Sequence, residues 1–177
     1  MTGKGVFMAE KEEYWDVYDR DKKLTGRVMK KNDWTMAEGD YHLTVLGILQ
    51  NRAGRYLITK RARDKAWAPG DWEIPGGGVM AGETSLEAVQ RELLEETGID
   101  VRGAEGGFLF DYHREDPHEA NNYFVDVYKF VLDFDASEVH LQEEETDGFL
   151  LATYEQIRGF ASQGRFLHYE SMKRAFV

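Results

Sequence analysis

Apolar and polar positions alternate through most of the chain, and one stretch has helical spacing. Tyr14-Trp15-Asp16-Val17-Tyr18 alternates, Asp19-Arg20-Asp21-Lys22 makes a polar turn, and Leu24-Thr25-Gly26-Arg27-Val28-Met29 returns, which predicts a hairpin over residues 13–29. A polar, irregular stretch separates it from a long apolar strand over 41–50. The turn Asn51-Arg52-Ala53-Gly54 then leads to a partner strand over 55–61. Further strands are predicted at 72–74, 107–112, 122–132 and 149–152, and helices at 154–161 and 167–176. A loop rich in Trp and Pro, residues 66–75, ends in Gly76-Gly77-Gly78, and a charged loop covers 113–121.

The central helix carries its own punctuation. Thr84-Ser85-Leu86-Glu87 has the form of a capping box. Leu86, Val89 and Leu93 recur at helical spacing, with Ala88 and Leu94 widening the stripe, and Gly98 sits where a left-handed terminator belongs. The helix is therefore expected at 85–97. Strands on both sides of one helix predict a single α/β (α+β) domain over 13–177, with 13–40 as a hairpin extension behind a flexible terminus at 1–12.

Composition narrows the function. The chain has 177 residues, 42% of them hydrophobic and 13% aromatic, enough to bury a core and too apolar for a disordered chain. Its formal net charge of −11 argues against duplex nucleic acid as the partner, and an anionic substrate would require recruited cations, most simply divalent metal. The absence of Cys excludes disulfides, thiolate metal sites and a cysteine nucleophile. No apolar run approaches the roughly 20 residues of a membrane span, and the first residues hold no apolar signal segment, so a soluble cytoplasmic protein is expected.

The chemistry concentrates between Gly77 and Ile99. Glu92, Glu95 and Glu96 stand at i, i+3 and i+4, three carboxylates on one helical face whose mutual repulsion calls for positive charge above them. Hard cations such as Mg²⁺ take such oxygens together with phosphate oxygens. The glycines ahead of the helix allow close backbone approach to a ligand, and a Glu83–Arg91 ion pair would tie loop to helix.

Gly77, five residues, Glu83, seven residues, Arg91-Glu92-Leu93, one residue, Glu95-Glu96, one residue, Gly98-Ile99 resembles the complete signature of the Nudix family. The resemblance implies an α/β/α sandwich around a mixed sheet. It also implies Mg²⁺- or Mn²⁺-dependent hydrolysis of a nucleoside diphosphate linked to another moiety, a small-molecule substrate, and points to a homodimer. It implies Glu92, Glu95 and Glu96 as catalytic metal ligands, the backbone of Gly77 as a further ligand, and Glu83 and Arg91 as a brace. A later acidic residue often serves as base or ligand in this family, and Glu145 of the run Glu143-Glu144-Glu145 is favoured by its spacing to the strand at 149–152.

Lys60, Arg61 and Arg63 are candidate phosphate contacts, with surface solubility as the competing explanation. Trp72 and Trp67 are candidates for a base-binding slot, against ordinary core packing. His113 and His118 fit no compact metal motif, and His42, His140 and His168 carry no chemical signal. The N-terminal hairpin is loosely similar to the isopentenyl diphosphate isomerase branch of the superfamily, whose chemistry relies on a cysteine that this chain lacks. A non-catalytic nucleotide sensor would be expected to lose signature glutamates, and all are kept.

Overall fold

The computed structural model describes residues 11–33, 36–116, 118 and 120–177, so most of the terminus expected at 1–12 lies outside the described residues. The chain forms β1 (Tyr14–Tyr18), β2 (Leu24–Lys30), β3 (His42–Asn51), β4 (Tyr56–Arg61), β5 (Trp72–Glu73), β6 (Gly76–Gly78) and α1 (Ser85–Thr97). β7 (Glu105–Arg114), β8 (Tyr123–Leu132), β9 (Thr146–Ala152), α2 (Tyr154–Ser162) and α3 (Tyr169–Met172) follow, and a 3₁₀ turn, Lys173–Phe176, continues α3. No helix among the described residues is long and apolar enough to cross a membrane.

α1 begins and ends where its local signals place it. The Thr84 hydroxyl accepts from the Glu87 N–H while the Glu87 carboxylate accepts from the Thr84 N–H, and Gly98 closes the helix at φ 73°. Ala88, Val89 and Leu93 are buried against one face of the main sheet, beside Val45 and Leu49. Gly47 of β3 makes the room, because a Cβ there would lie 2.6 Å from Leu93 Cδ1. On the opposite face, Ile48, Ile58, Val125 and Val127 meet Ile157, Met172 and Phe176 from α2 and the C-terminal segment. The alternation of β3 and β8 thus feeds two cores, and the sheet lies between helices.

The main sheet is mixed. β3 runs parallel to β8 from His42↔Tyr123 to Asn51↔Leu132, and β7 pairs antiparallel with β8. β3 and β4 pair at Gln50↔Tyr56 near their turn, and then each recruits its own partners. β6 adds to β3, whereas β5 and β9 add to β4. The two strands part at the end where the glycines and the acidic helix lie.

Four expectations change. Leu86 and Leu94, expected on the apolar stripe of α1, are exposed, and the stripe narrows to Ala88, Val89 and Leu93. Gly76–Gly78, expected as loop, form a strand against β3, and a Cβ on Gly76 would sit 2.0 Å from the Val45 carbonyl oxygen. β7 extends through His113 and Arg114, which removes both from the expected loop. The C-terminal helix is broken: His168 takes a left-handed φ of 57°, and only a four-residue α3 and a 3₁₀ turn follow.

The β1–β2 hairpin forms a separate two-stranded sheet docked on this frame. Tyr18 and Tyr41 exchange backbone hydrogen bonds of 2.8 and 2.9 Å. Lys22 Nζ lies 2.5 Å from Asp126 Oδ1 and 2.7 Å from Asp111 Oδ2. Trp15, buried, stacks on the His42 ring at 4.1 Å between centroids and 10° between planes.

Burial depresses the His42 imidazole from its ordinary 6.5 to about 4. The unfolded chain therefore takes up this proton first. The stability from a neutral His42 is complete above the ordinary value and lost as pH falls toward the depressed one, by about 3 kcal/mol in all. Urea titrations of wild type and His42→Gln from pH 7 to pH 4 should show the stability difference between them shrinking by that order. A difference independent of pH would contradict the burial of a neutral ring.

Candidate active site

The part of α1 turned away from the core carries Arg91, Glu92, Glu95 and Glu96. Arg91 reaches back to Glu83 through two hydrogen bonds, Nε to Oε1 at 2.8 Å and Nη2 to Oε2 at 3.0 Å. It also donates to the Gly78 carbonyl at 3.1 Å, to Glu92 Oε1 at 2.8 Å and to Glu95 Oε2 at 3.4 Å. Glu83 in turn accepts from the Met80 N–H at 3.0 Å. One guanidinium thus ties the helix to the loop behind β6.

Glu92 lies directly beneath Gly77, where a Cβ would come within 2.5 Å of its carboxylate. Burial pushes the Glu92 carboxyl up, against the opposing pull of Arg91. Glu95 is half exposed. Glu96 is the most constrained of the three. Its carboxylate accepts from the Gly76 N–H at 3.2 Å, and its carboxyl is pushed well above the usual range, by burial first and then by the charges of Glu92, Glu73 and Glu145.

Glu96, with Gly76 and Gly77, borders a cleft of about 230 Å³ where β3 and β4 diverge, lined also by Glu73, Glu145 and Arg61, whereas Glu92 and Glu95 lie outside that lining. Both Glu73 carboxylate oxygens lie 3.3 Å from Arg61 Nη1, and burial raises the Glu73 carboxyl despite that partner. Glu145, just ahead of β9, meets Lys65 Nζ at 2.5 Å.

A larger cavity of about 680 Å³ adjoins the cleft and shares Thr44, Leu46, Trp67 and His168 with it. Its floor is the sheet itself. His42, Tyr123 and Arg114 make one row across β3, β8 and β7, and Thr44, Val125 and Tyr112 make the next. The enclosed Tyr112 hydroxyl has no hydrogen-bond partner among the described residues, and burial raises its phenol. Burial and the charges of Arg114 and Arg61 lower the His168 imidazole, so both histidines of this cavity are neutral at physiological pH.

Arg61 lines the cleft, with its guanidinium 5.2 Å from the Trp67 ring centroid. Arg63 is exposed and paired with Asp147 at 3.7 Å, outside both hollows. Trp72 stacks on Phe160 at 5.2 Å, and the tryptophan bordering the cavities is Trp67. Glu73, Lys65, His42, Tyr112 and His168 join the site without having been singled out in the sequence. Glu73 did carry a signal, since a carboxylate between Trp72 and the buried Ile74, just ahead of three glycines, has no place in an ordinary core strand.

The donor set suits a hard divalent cation. It consists of oxygens, and burial first, with neighbouring carboxylates behind it, raises the carboxyls of Glu73, Glu92 and Glu96. As they stand, no three acidic or imidazole side chains among the described residues converge as a ready cage. Arg91 holds Glu92 and Glu95, Arg61 holds Glu73 and Lys65 holds Glu145, whereas Glu96 has the Gly76 N–H as its hydrogen-bond donor. Glu83→Gln should lower the urea-unfolding free energy by about 1–3 kcal/mol, the worth of charge-assisted hydrogen bonds. An unchanged midpoint would mean that the Arg91 contact carries no load.

The NUDIX domain model matches residues 40–174. An uncharacterised Nudix hydrolase of Listeria monocytogenes is 31% identical over 165 residues, covering 93% of this chain and 94% of the relative. The crystal structure of a MutT protein from Methanosarcina mazei superimposes with a TM-score of 0.57 at 26% identity, over 67% of this chain and 81% of that one. A Deinococcus radiodurans protein shares the fold with a TM-score of 0.70 at 21% identity, over 86% of this chain and 91% of that one. With a family model matched over most of its length and a relative matched nearly end to end, the chain belongs to the Nudix family and is a pyrophosphohydrolase acting on nucleoside diphosphate-linked small molecules.

Proposed function

We propose that the chain hydrolyses the pyrophosphate bond of a nucleoside diphosphate derivative with Mg²⁺ or Mn²⁺ held by Glu92, Glu95 and Glu96 and by the Gly77 backbone carbonyl. The observation that supports it most is Glu96, a half-buried carboxylate on the cleft wall without a cationic partner of its own among the described residues, set amid the charges of three others. A divalent cation in such a set supplies neutralisation of phosphate oxygens and acidifies water.

The chain's own groups do the rest. Glu145, on the cleft wall, takes the proton from the attacking water, and Lys65 steadies its carboxylate. Arg61 offers positive charge to a phosphate from the same wall. α1 is fixed by its caps and core contacts, so the acidic face is positioned before substrate arrives. The larger cavity receives the part of the substrate beyond the scissile diphosphate, with Tyr112 as a hydrogen-bond donor to it.

A panel of nucleoside diphosphate derivatives and triphosphates, assayed with Mg²⁺, Mn²⁺ or chelator and read by mass spectrometry of the products, tests the reaction. Glu96→Gln should lower kcat by on the order of 10²–10³ with the fold intact. Metal-stimulated turnover at the wild-type rate in this variant would remove Glu96 from the site. Tyr112→Phe should raise KM about two- to tenfold at constant kcat, the signature of one neutral hydrogen bond made equally to ground and transition states. A fall in kcat at constant KM would place Tyr112 in the chemistry instead.

A further inference from the structure

The β1–β2 hairpin lies ahead of the residues that match the family model, yet it grips the loop between the glycines and Glu83. Trp15 and Met80 form an antiparallel bridge. The Ala81 N–H donates to the Tyr14 carbonyl at 2.8 Å, and the Gly82 N–H donates to Asp16 Oδ2 at 2.8 Å. Trp15 also packs on Gly78, where a Cβ would lie 2.5 Å from the indole Nε1 and 3.0 Å from Cε2. Gly78 follows Gly77, and its carbonyl is one of the acceptors of Arg91.

The same indole also stacks on His42, a wall of the larger cavity. His42 is held at its far edge by Asn121, 3.2 Å from Nε2, which lines that cavity too. One side chain from outside the matched domain therefore contacts both the loop that aims Gly77 and the surface that would hold substrate.

We propose that the N-terminal hairpin is a working part of the active site, in which Trp15 and Asp16 are positioning residues, holding the loop 78–82 for the cation and His42 for the substrate. Trp15 acts on two sites through one rigid ring. Its loss loosens the backbone that orients Gly77 and Arg91, and it frees His42 to leave the cavity wall. Asp16 acts on the loop alone. The inference rests on the hydrolase reading, and metal binding separates the two: wild-type protein that neither binds Mn²⁺ nor hydrolyses any of the panel sinks that reading, whatever the hairpin does.

The test uses the full chain, with Mn²⁺ affinity from calorimetry, kcat and KM on the best substrate, and thermal unfolding. Trp15→Ala should weaken Mn²⁺ binding about tenfold and raise KM when measured well below its own unfolding temperature, as expected for loss of a support behind the ligands. Trp15→Phe should restore part of both. Asp16→Ala should weaken Mn²⁺ binding with KM unchanged. Val17→Ala, a cavity made inside the same hairpin, should lower stability alone. Gly78→Ala should weaken Mn²⁺ binding in the wild-type background and add nothing in Trp15→Ala, because the methyl then has room. Equal Mn²⁺ affinities in wild type and Trp15→Ala, or fully multiplicative effects of Trp15→Ala and Gly78→Ala, would overturn the proposal.

Discussion

Negative charge confined away from water is the constraint to which the site's architecture answers. Carboxylates gather where β3 and β4 separate, and withdrawal from water, with the neighbouring charges behind it, makes Glu73 and Glu96 more costly to ionise there. The chain meets most of this cost with its own cations. Arg91 serves the helix, Arg61 serves β5, and Lys65 serves the entrance to β9. Glu96 is left facing its neighbours' fields with an amide N–H as its donor, a balance that the divalent ion proposed above would complete.

The helix and its ends were legible because their determinants are local. Thr84, Glu87 and Gly98 lie within a turn of the backbone groups they satisfy. β6 was not legible, because three glycines have no strand preference and become a strand only by pairing with β3, thirty-odd residues earlier in the chain. The broken C-terminal helix hid for a related reason: apolar spacing over 167–176 fits a helix, but packing into the sheet's second face bends the chain at His168.

The acidic residues of the signature could be read because their spacing is fixed by one helix. Of the remaining cleft residues, Arg61 and Glu145 were named as candidates, whereas Glu73 and Lys65 were not. Glu73, Lys65 and Glu145 come from three separate segments, and only the β4–β5 and β4–β9 pairings bring them together. The cavity floor is assembled in the same way from registers across β3, β8 and β7. His42 and Tyr112 each sit in an apolar strand, where a ring with one polar atom is indistinguishable in sequence from ordinary core. On the proposed reading a strongly acidic chain acting on anionic molecules is no paradox, since the positive charge that meets phosphate would be largely borrowed.

The parallel pairing of β3 with β8 also governs how the molecule comes into being. During synthesis β3, β4, β6 and α1 emerge well before β8, so one edge of the long apolar strand must wait unpaired until His42 can meet Tyr123. A helix stapled by its own caps can form in the interval, but the cleft cannot close until the late strands arrive. The nascent polypeptide thus carries an exposed sheet edge for much of its translation, an edge without an acidic side chain of its own, in a chain whose net charge of −11 opposes the close approach of another copy.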